Sequence, residues 1–409
     1  MHKDDLVARM EFTNAGYFSA FEGFYNRELM PPGTRVQDAM VTQRFKSWLE
    51  TRCISKDREN YIKVLSSAGI NTKEQFYLRN YGLSLNDCYW LKAFDAINSD
   101  FGWNDVNFFK NSYSDFVGNI LVDNSYSSYV SDFLSPELTT FGNSRKMWYQ
   151  NKNTLDSYML KFGTKENNYQ EPYIEVIVSI IAQKLGIPNI ECKLINKTMA
   201  NGQKKTACIS KNFCTEDVEF IPAQLLMVEP GLVGKNGMIN YAKRHNLKQD
   251  LDKMIVLDYI TCNSKRDMSN FGFLRDANTF KSIGLAPIFS NGNSLWIDWK
   301  KYEIGKSDDS KPFESTHEKQ IELVDDFSWI NFSNLDTIEF DVKQVLRHSE
   351  FPYEIQEKIC KELRNRINKL EKIAINKKQT IVPQDSIAEQ RIENTNKIEL
   401  SEPDSGFGS

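Results

Sequence analysis

A bilobed α+β architecture with an added N-terminal module is expected for this chain of 409 residues, on three observations. Short alternating segments between 138 and 222 enclose one helical pattern, which reads as a strand-rich lobe. From Pro222 onward helical spacing returns, most clearly in Ile355, Ile359, Leu363, Ile367 and Leu370, which fall on one face of a long helix. Residues 1–135 combine aromatics with short polar breaks and read as a helical module. The expected division is 1–135, 136–222 (strand-rich lobe), 223–376 (helical lobe) and 377–409, a disordered tail rich in Asn, Gln, Ser and Glu.

Within the first module, Ala39 to Leu49 and Asn60 to Ala68 have apolar spacing compatible with short helices. Leu83 to Trp90 and Trp103 to Phe109 set large rings beside Asn and Asp, which suits turns packed on a core better than a binding site. Leu138 to Ser144 reads as a strand and a tight turn, followed by strands at Arg145 to Tyr149 and Tyr158 to Phe162. Tyr173, Val176, Ile177, Ile180, Ile181 and Leu185 then recur at three- and four-residue spacing, an amphipathic helix stopped by Gly186 and Pro188. Ile190 to Ile195 and Lys205 to Ile209 resume the strand pattern around an Asn201-Gly202 turn. Leu251 to Ile260 is helical again.

Composition excludes several classes of protein. Lys plus Arg number 51 against 55 Asp plus Glu, a net charge of −4, so no global basic field exists for direct nucleic-acid binding. Mean hydropathy is −0.51 and no apolar run nears the ~20 residues of a membrane span, so no membrane partner is expected. The charged start, Met1 to Asp5, has no secretory pattern, and a cytoplasmic location is expected. Seven scattered cysteines, never in a C-x-x-C arrangement, read as buried free thiols.

One order of residues suggests chemistry. A glycine turn at Gly142, with Asn143 and Ser144, precedes Lys161 in a strand, Glu175 on the next helix, and a distant Asn-rich loop. Protein kinases use that order: the turn covers the phosphates, the lysine pairs with them, and the glutamate holds the lysine. Each residue alone is ordinary, since strand lysines and helix glutamates commonly face solvent.

The segment Leu257 to Phe273, which contains Asn263-Ser264-Lys265-Arg266-Asp267-Met268-Ser269-Asn270-Phe271-Gly272, resembles the catalytic loop of HipA-like serine/threonine kinases, a bacterial family that includes toxin kinases, where it typically reads Asn-Thr-Asp-Arg-His-x-x-Asn-Phe-Gly. Ala286-Pro287-Ile288-Phe289-Ser290-Asn291-Gly292-Asn293-Ser294-Leu295 resembles the family's metal-binding stretch, Ala-Pro-Ile-Phe-Asp-x-Gly-x-Ser-Leu. Gln170 to Glu175 looks like the helix bearing the lysine-pairing glutamate. Ser210 to Phe213, with Phe220 to Ala223, is similar to the hinge where adenine stacks, which gives Phe213 its expected role. The resemblance covers about 135–345, with a weaker match at Trp48 to Ile54 and Arg58 to Asn60. It implies a kinase-like fold, ATP as ligand, Mg²⁺ at Asn270 and position 290, and a small DNA-binding antitoxin as partner.

Two positions depart from that pattern. Five residues before Asn270, where the catalytic Asp belongs, stands Lys265, an ammonium that cannot accept the substrate proton. Ser290 replaces the metal-binding Asp, and a neutral hydroxyl is a poor ligand for a hard dication. The expectation is a pseudokinase that binds nucleotide, a protein partner or both, with Mg²⁺ weak or absent and Lys265 meeting the phosphates directly. The alternatives are an active kinase using Asp267 as base and Asp298 as a displaced metal ligand, and an interaction module with an empty cleft. Ser144 is a turn residue or an autophosphorylation site.

Overall fold

The structure, a computed structural model, describes residues 1–381 except 36–39, 128, 131, 228–231, 233 and 302, and for 379–381 the backbone alone. The N-terminal module is not purely helical. It opens with an antiparallel hairpin, β1 (Ala8–Phe12) and β2 (Phe18–Phe24), followed by α1 (Val41–Glu50), α2 (Tyr61–Ala68), α3 (Glu74–Arg79), α4 (Trp103–Val106) and α5 (Phe116–Val122). The hairpin is hidden in the sequence because its register shifts twice, between Arg9 and Met10 and between Glu11 and Phe12, and a bulge destroys the two-residue alternation. Phe21, Phe45, Trp48 and Tyr89 join the hairpin to α1 in one aromatic cluster.

The strand expected at Leu138 to Phe141 is absent; Pro136–Thr139 forms a 3₁₀ turn instead. Proline fixes φ at its first position, and the hydroxyls of Thr139 and Thr140 both return to the Pro136 carbonyl, a local alternative to a sheet ladder. Gly142 therefore lies in a loop that enters β3, not between two strands. Beyond it, β3 (Lys146–Gln150), β4 (Ser157–Phe162), β5 (Lys193–Thr198) and β6 (Lys204–Lys211) form an antiparallel sheet in the order β3-β4-β6-β5.

Helix α6 (Glu171–Lys184) is wedged between this sheet and the helical lobe. The amphipathic expectation is too weak for it: Ile174, Ile177, Val178 and Ile181 enter the core of the helical lobe, while Glu175, Val176 and Ser179 on its other faces are buried as well. Gly163, between β4 and α6, lets the Tyr169 backbone pass where a Cβ would lie 2.3 Å from it.

β7 (Val218–Pro222) belongs to a second sheet with β8 (Gly272–Asp276) and β9 (Ser282–Leu285), so the lobe expected to be helical carries two strands, paired to the last strand of the lobe before it. Its helices are α7 (Ala223–Leu226), α8 (Gly234–Arg244), α9 (Lys248–Thr261), α10 (His317–Ile321), α11 (Ile338–Leu346) and α12 (Tyr353–Ile381). Ile359, Leu363, Ile367 and Leu370 of α12 are buried against this core, as their spacing predicts. Residues 377–381, assigned to the tail, continue α12, and the rest of the expected tail lies outside the described residues. All seven cysteines are buried and free, and no helix among the described residues is long and apolar enough to cross a membrane.

Candidate functional site

A cleft of about 790 Å³ lies between the lobes. Ten residues singled out from the sequence line it: Gly142, Asn143, Ser144, Lys161, Glu175, Phe213, Lys265, Asp267, Asn270 and Ser290. They come from the loop before β3, from β4, from α6, from the loop after β6 and from the two loops flanking β8 and β9.

On the sheet side, Lys161 projects from β4 next to its end at Phe162, and its Nζ donates to Glu175 Oε1 at 2.7 Å. Burial by itself would lower this ammonium, but the adjacent Glu175 carboxylate more than offsets it and the pKa is raised. The other carboxylate oxygen of Glu175 accepts the Asn291 backbone N–H at 3.0 Å. One buried carboxylate thus ties the strand lysine, the interlobe helix and the stretch that carries Ser290. Lys146 also lines the cleft; burial, then the charges of Arg58 and Lys161, bring its ammonium down to about 7.

The opposite wall is held by Arg266, which is fully buried. Its guanidinium grips Asp258 of α9 with two bonds of 2.8 and 2.9 Å, donates to the Asn270 carbonyl at 3.1 Å and to Asn291 Oδ1 at 2.6 Å, and also donates to the Phe289 carbonyl. Leu295 N–H to Thr261 O, at 2.7 Å, adds a backbone tie between the same two loops. Arg266 and Asp258 lay within the segment matched from sequence, but nothing in their spacing marks them as the joint of the site.

This frame presents Lys265, Asp267, Asn270 and Ser290 to the cleft. Lys265 is exposed and its Nζ has no hydrogen bond or ion pair among the described residues. Asp267 is half-exposed and its Oδ1 accepts from Lys311 Nζ at 3.0 Å, so the substitute base is already paired with a cation. Asp298, the displaced ligand of the active-kinase alternative, does not line the cleft. Asn270 spends its amide N–H on the Lys265 carbonyl at 3.1 Å and keeps one neutral oxygen free; Ser290 adds a hydroxyl from a backbone at φ 63°. Mg²⁺ demands carboxylate oxygens, and an amide oxygen with a hydroxyl beside an ammonium-bearing loop does not meet that demand. The residues present do not fit a resident Mg²⁺.

Apolar surface closes the deep end, where Phe213, Phe220 and Phe289 meet with ring centroids 5.5–5.8 Å apart and Ile190 and Ile221 complete the lining. Such a surface suits a planar base.

A further wall was invisible in the sequence. Trp48, Arg52, Asp87 and Tyr89 of the N-terminal module line the same cleft. Their segment is pinned to the hinge: Phe220 N–H donates to the Asn86 carbonyl at 2.8 Å and Asn212 Nδ2 to the Leu85 carbonyl at 3.1 Å. Below it, Glu219 of β7 receives His2 at 2.9 Å, Arg275 at 2.7 Å and the Cys88 N–H at 2.8 Å. Burial would raise Glu219, but these partners bring its carboxyl down to about 2. The rings of Trp90, Trp103 and Phe108 are core residues, as expected, while the polar positions among them, Ser84, Asn86 and Asp87, face the cleft.

No protein-family model matches the chain, and no curated protein matches it. Among solved structures, the proinflammatory kinase CtkA of Helicobacter pylori is similar over 59% of this chain and 94% of its own, at 20% identity and a TM-score of 0.44. HipA of Shewanella oneidensis MR-1, solved as a toxin–antitoxin complex with HipB and operator DNA, is similar over 90% of this chain and 96% of its own, at 12% identity and a TM-score of 0.51. That likeness spans both lobes and the N-terminal module, and the chain carries a HipA-like kinase fold.

Proposed function

We propose that this protein is a pseudokinase: it binds ATP in the interlobe cleft without a divalent ion, transfers little or no phosphoryl group, and uses nucleotide occupancy to bias a protein partner. The observation that supports this most is the unequal equipment of the cleft. The lysine–glutamate pair is formed at 2.7 Å, while the facing loop offers Lys265, Asn270 and Ser290 with no unpaired carboxylate among them. A triphosphate between Lys161 and Lys265 would be held by charge-assisted bonds to both lobes, and would favour whichever arrangement brings them together. Without a base to accept the hydroxyl proton and without a metal to take the charge of the leaving phosphate, the transition state gains little. The Shewanella HipA assembles with HipB, and from it we carry over a protein partner as the element that reads nucleotide occupancy.

Thermal melting tests the reading. Ligand at a hundredfold excess over its Kd stabilises a folded protein by ~2.7 kcal/mol. ATP in EDTA should raise the melting temperature at least as much as ATP with Mg²⁺, and Lys161→Ala should abolish the rise. A rise confined to Mg²⁺ would return the active-kinase reading, and no rise at all would leave an interaction module with an empty cleft.

A further inference from the structure

Asp87 stands on the wall that the N-terminal module adds to the cleft, and its carboxylate is held on one side only. Oδ1 accepts the Tyr89 N–H at 3.0 Å and is gripped by Nη2 of Arg52, which is buried, lies 4.4 Å from the Trp48 ring and is bonded to the Gly82 and Tyr89 carbonyls. Oδ2 has no hydrogen bond or ion pair among the described residues, and the side chain is 17% exposed. Glu219 beneath it differs, with one oxygen taken by His2 and the Cys88 N–H and the other by Arg275. Neighbouring contacts set Asp87 at the base end of the cleft. The Asn86 carbonyl accepts the Phe220 N–H, and the thiol of Cys214, the residue after Phe213, is raised by burial and then by the Asp87 charge.

We propose that Asp87 reads the nucleoside: Oδ2 accepts a hydrogen bond from a neutral donor of the bound nucleotide, either the amino group of the base or a hydroxyl of the ribose. The inference rests on the nucleotide reading above and adds what the module wall recognises. A carboxylate repels phosphate, so the triphosphate keeps to the end of the cleft that carries Lys161 and Lys265. Water solvates Oδ2 while the cleft is open. A ligand that expels this water and returns an N–H or O–H keeps the charge satisfied, whereas one that returns nothing leaves it unpaired, and that asymmetry gives discrimination. Because Arg52 and the Tyr89 N–H already fix the carboxylate, little side-chain freedom is lost when the ligand arrives.

The test is calorimetric titration in EDTA of ATP, its 2′-deoxy and 3′-deoxy analogues and purine riboside triphosphate, which lacks the amino group, on wild type and Asp87→Asn. Asparagine can keep its oxygen on Arg52 and the Tyr89 N–H, and then turns a donor toward the ligand where aspartate offers an acceptor. Wild type should bind one of the three analogues about tenfold more weakly than ATP, and that analogue names the donor; in Asp87→Asn the ratio should fall to about one. A carboxylate that only braces Arg52 would weaken all four ligands by the same factor in the variant and leave the ratio as it was, which would overturn the assignment. Equal binding of all four by wild type would overturn it too while ATP binding stands, and that result needs no variant. If Asp87→Asn fails to fold, a crystal structure of the wild-type ATP complex decides: Oδ2 within hydrogen-bond distance of a ligand N–H or O–H supports the assignment, and any other placement overturns it. Absence of ATP binding by wild type would overturn the nucleotide reading, and this inference with it.

Discussion

The two facing walls of the cleft are held with equal care and equipped unequally. On the sheet side, the buried Glu175 both braces the scaffold and positions the charged group, Lys161. On the catalytic-loop side these tasks are separate: Arg266 and Asp258 brace the loop from beneath, while Lys265 and Ser290 merely stand on it. Replacing a residue that only presents a charge costs the fold little, whereas replacing one that also braces it unfolds the site. Chemistry can therefore be lost from the second wall without loss of architecture, and cannot from the first.

The sharpest way to break that comparison is Arg266→Met. Removing one partner from a fully buried ion pair leaves Asp258 uncompensated and should cost about 3–5 kcal/mol in denaturant unfolding; a cost below 1 kcal/mol would mean the loop is held by something else. Next in size is the ~2.7 kcal/mol of nucleotide stabilisation at a hundredfold excess, which Lys161→Ala should remove, whereas Lys265→Ala should weaken but not eliminate it. Lys265→Asp combined with Ser290→Asp should fold, because Asp tolerates the left-handed backbone at 290, and should make ATP bind more tightly with Mg²⁺ than in EDTA, reversing the wild-type order. Lys311→Ala should be nearly silent, within ~1 kcal/mol, because its pair with Asp267 is about half exposed.

The third wall has its own pH dependence. The folded Glu219 carboxyl lies below its ordinary value of 4.5, so its contribution is fully present above about 4.5 and is lost as pH falls toward about 2. Glu219→Gln should flatten the acid limb of a stability profile over that window. An unchanged limb would show that the Glu219 carboxylate adds nothing to the docking of the module.

The sequence was most informative where function depends on order along the chain. Lys161 and Glu175 could be placed because a strand and a helix follow each other closely, and the substitutions at 265 and 290 because two segments resemble known loops. It was least informative where partners lie far apart. The contact of Asn86 with Phe220 joins segments more than a hundred residues apart and uses backbone atoms that every residue possesses. The β1–β2 hairpin was obscured by its bulges, and the strand expected at 138 by the capacity of Thr139 and Thr140 to bond their own backbone. Lys146 was passed over because only the register, not the spacing, sets it beside Lys161.

The attachment of Leu85 and Asn86 to the hinge also bears on how the protein can be divided. A chain begun after residue 135 would keep both lobes yet lose one side of its ligand chamber, leave the Phe220 amide and the buried Glu219 carboxylate without partners they now have, and bare the aromatic rings stacked behind them. Its failure to bind nucleotide would report a missing side of the vessel rather than an inactive fold.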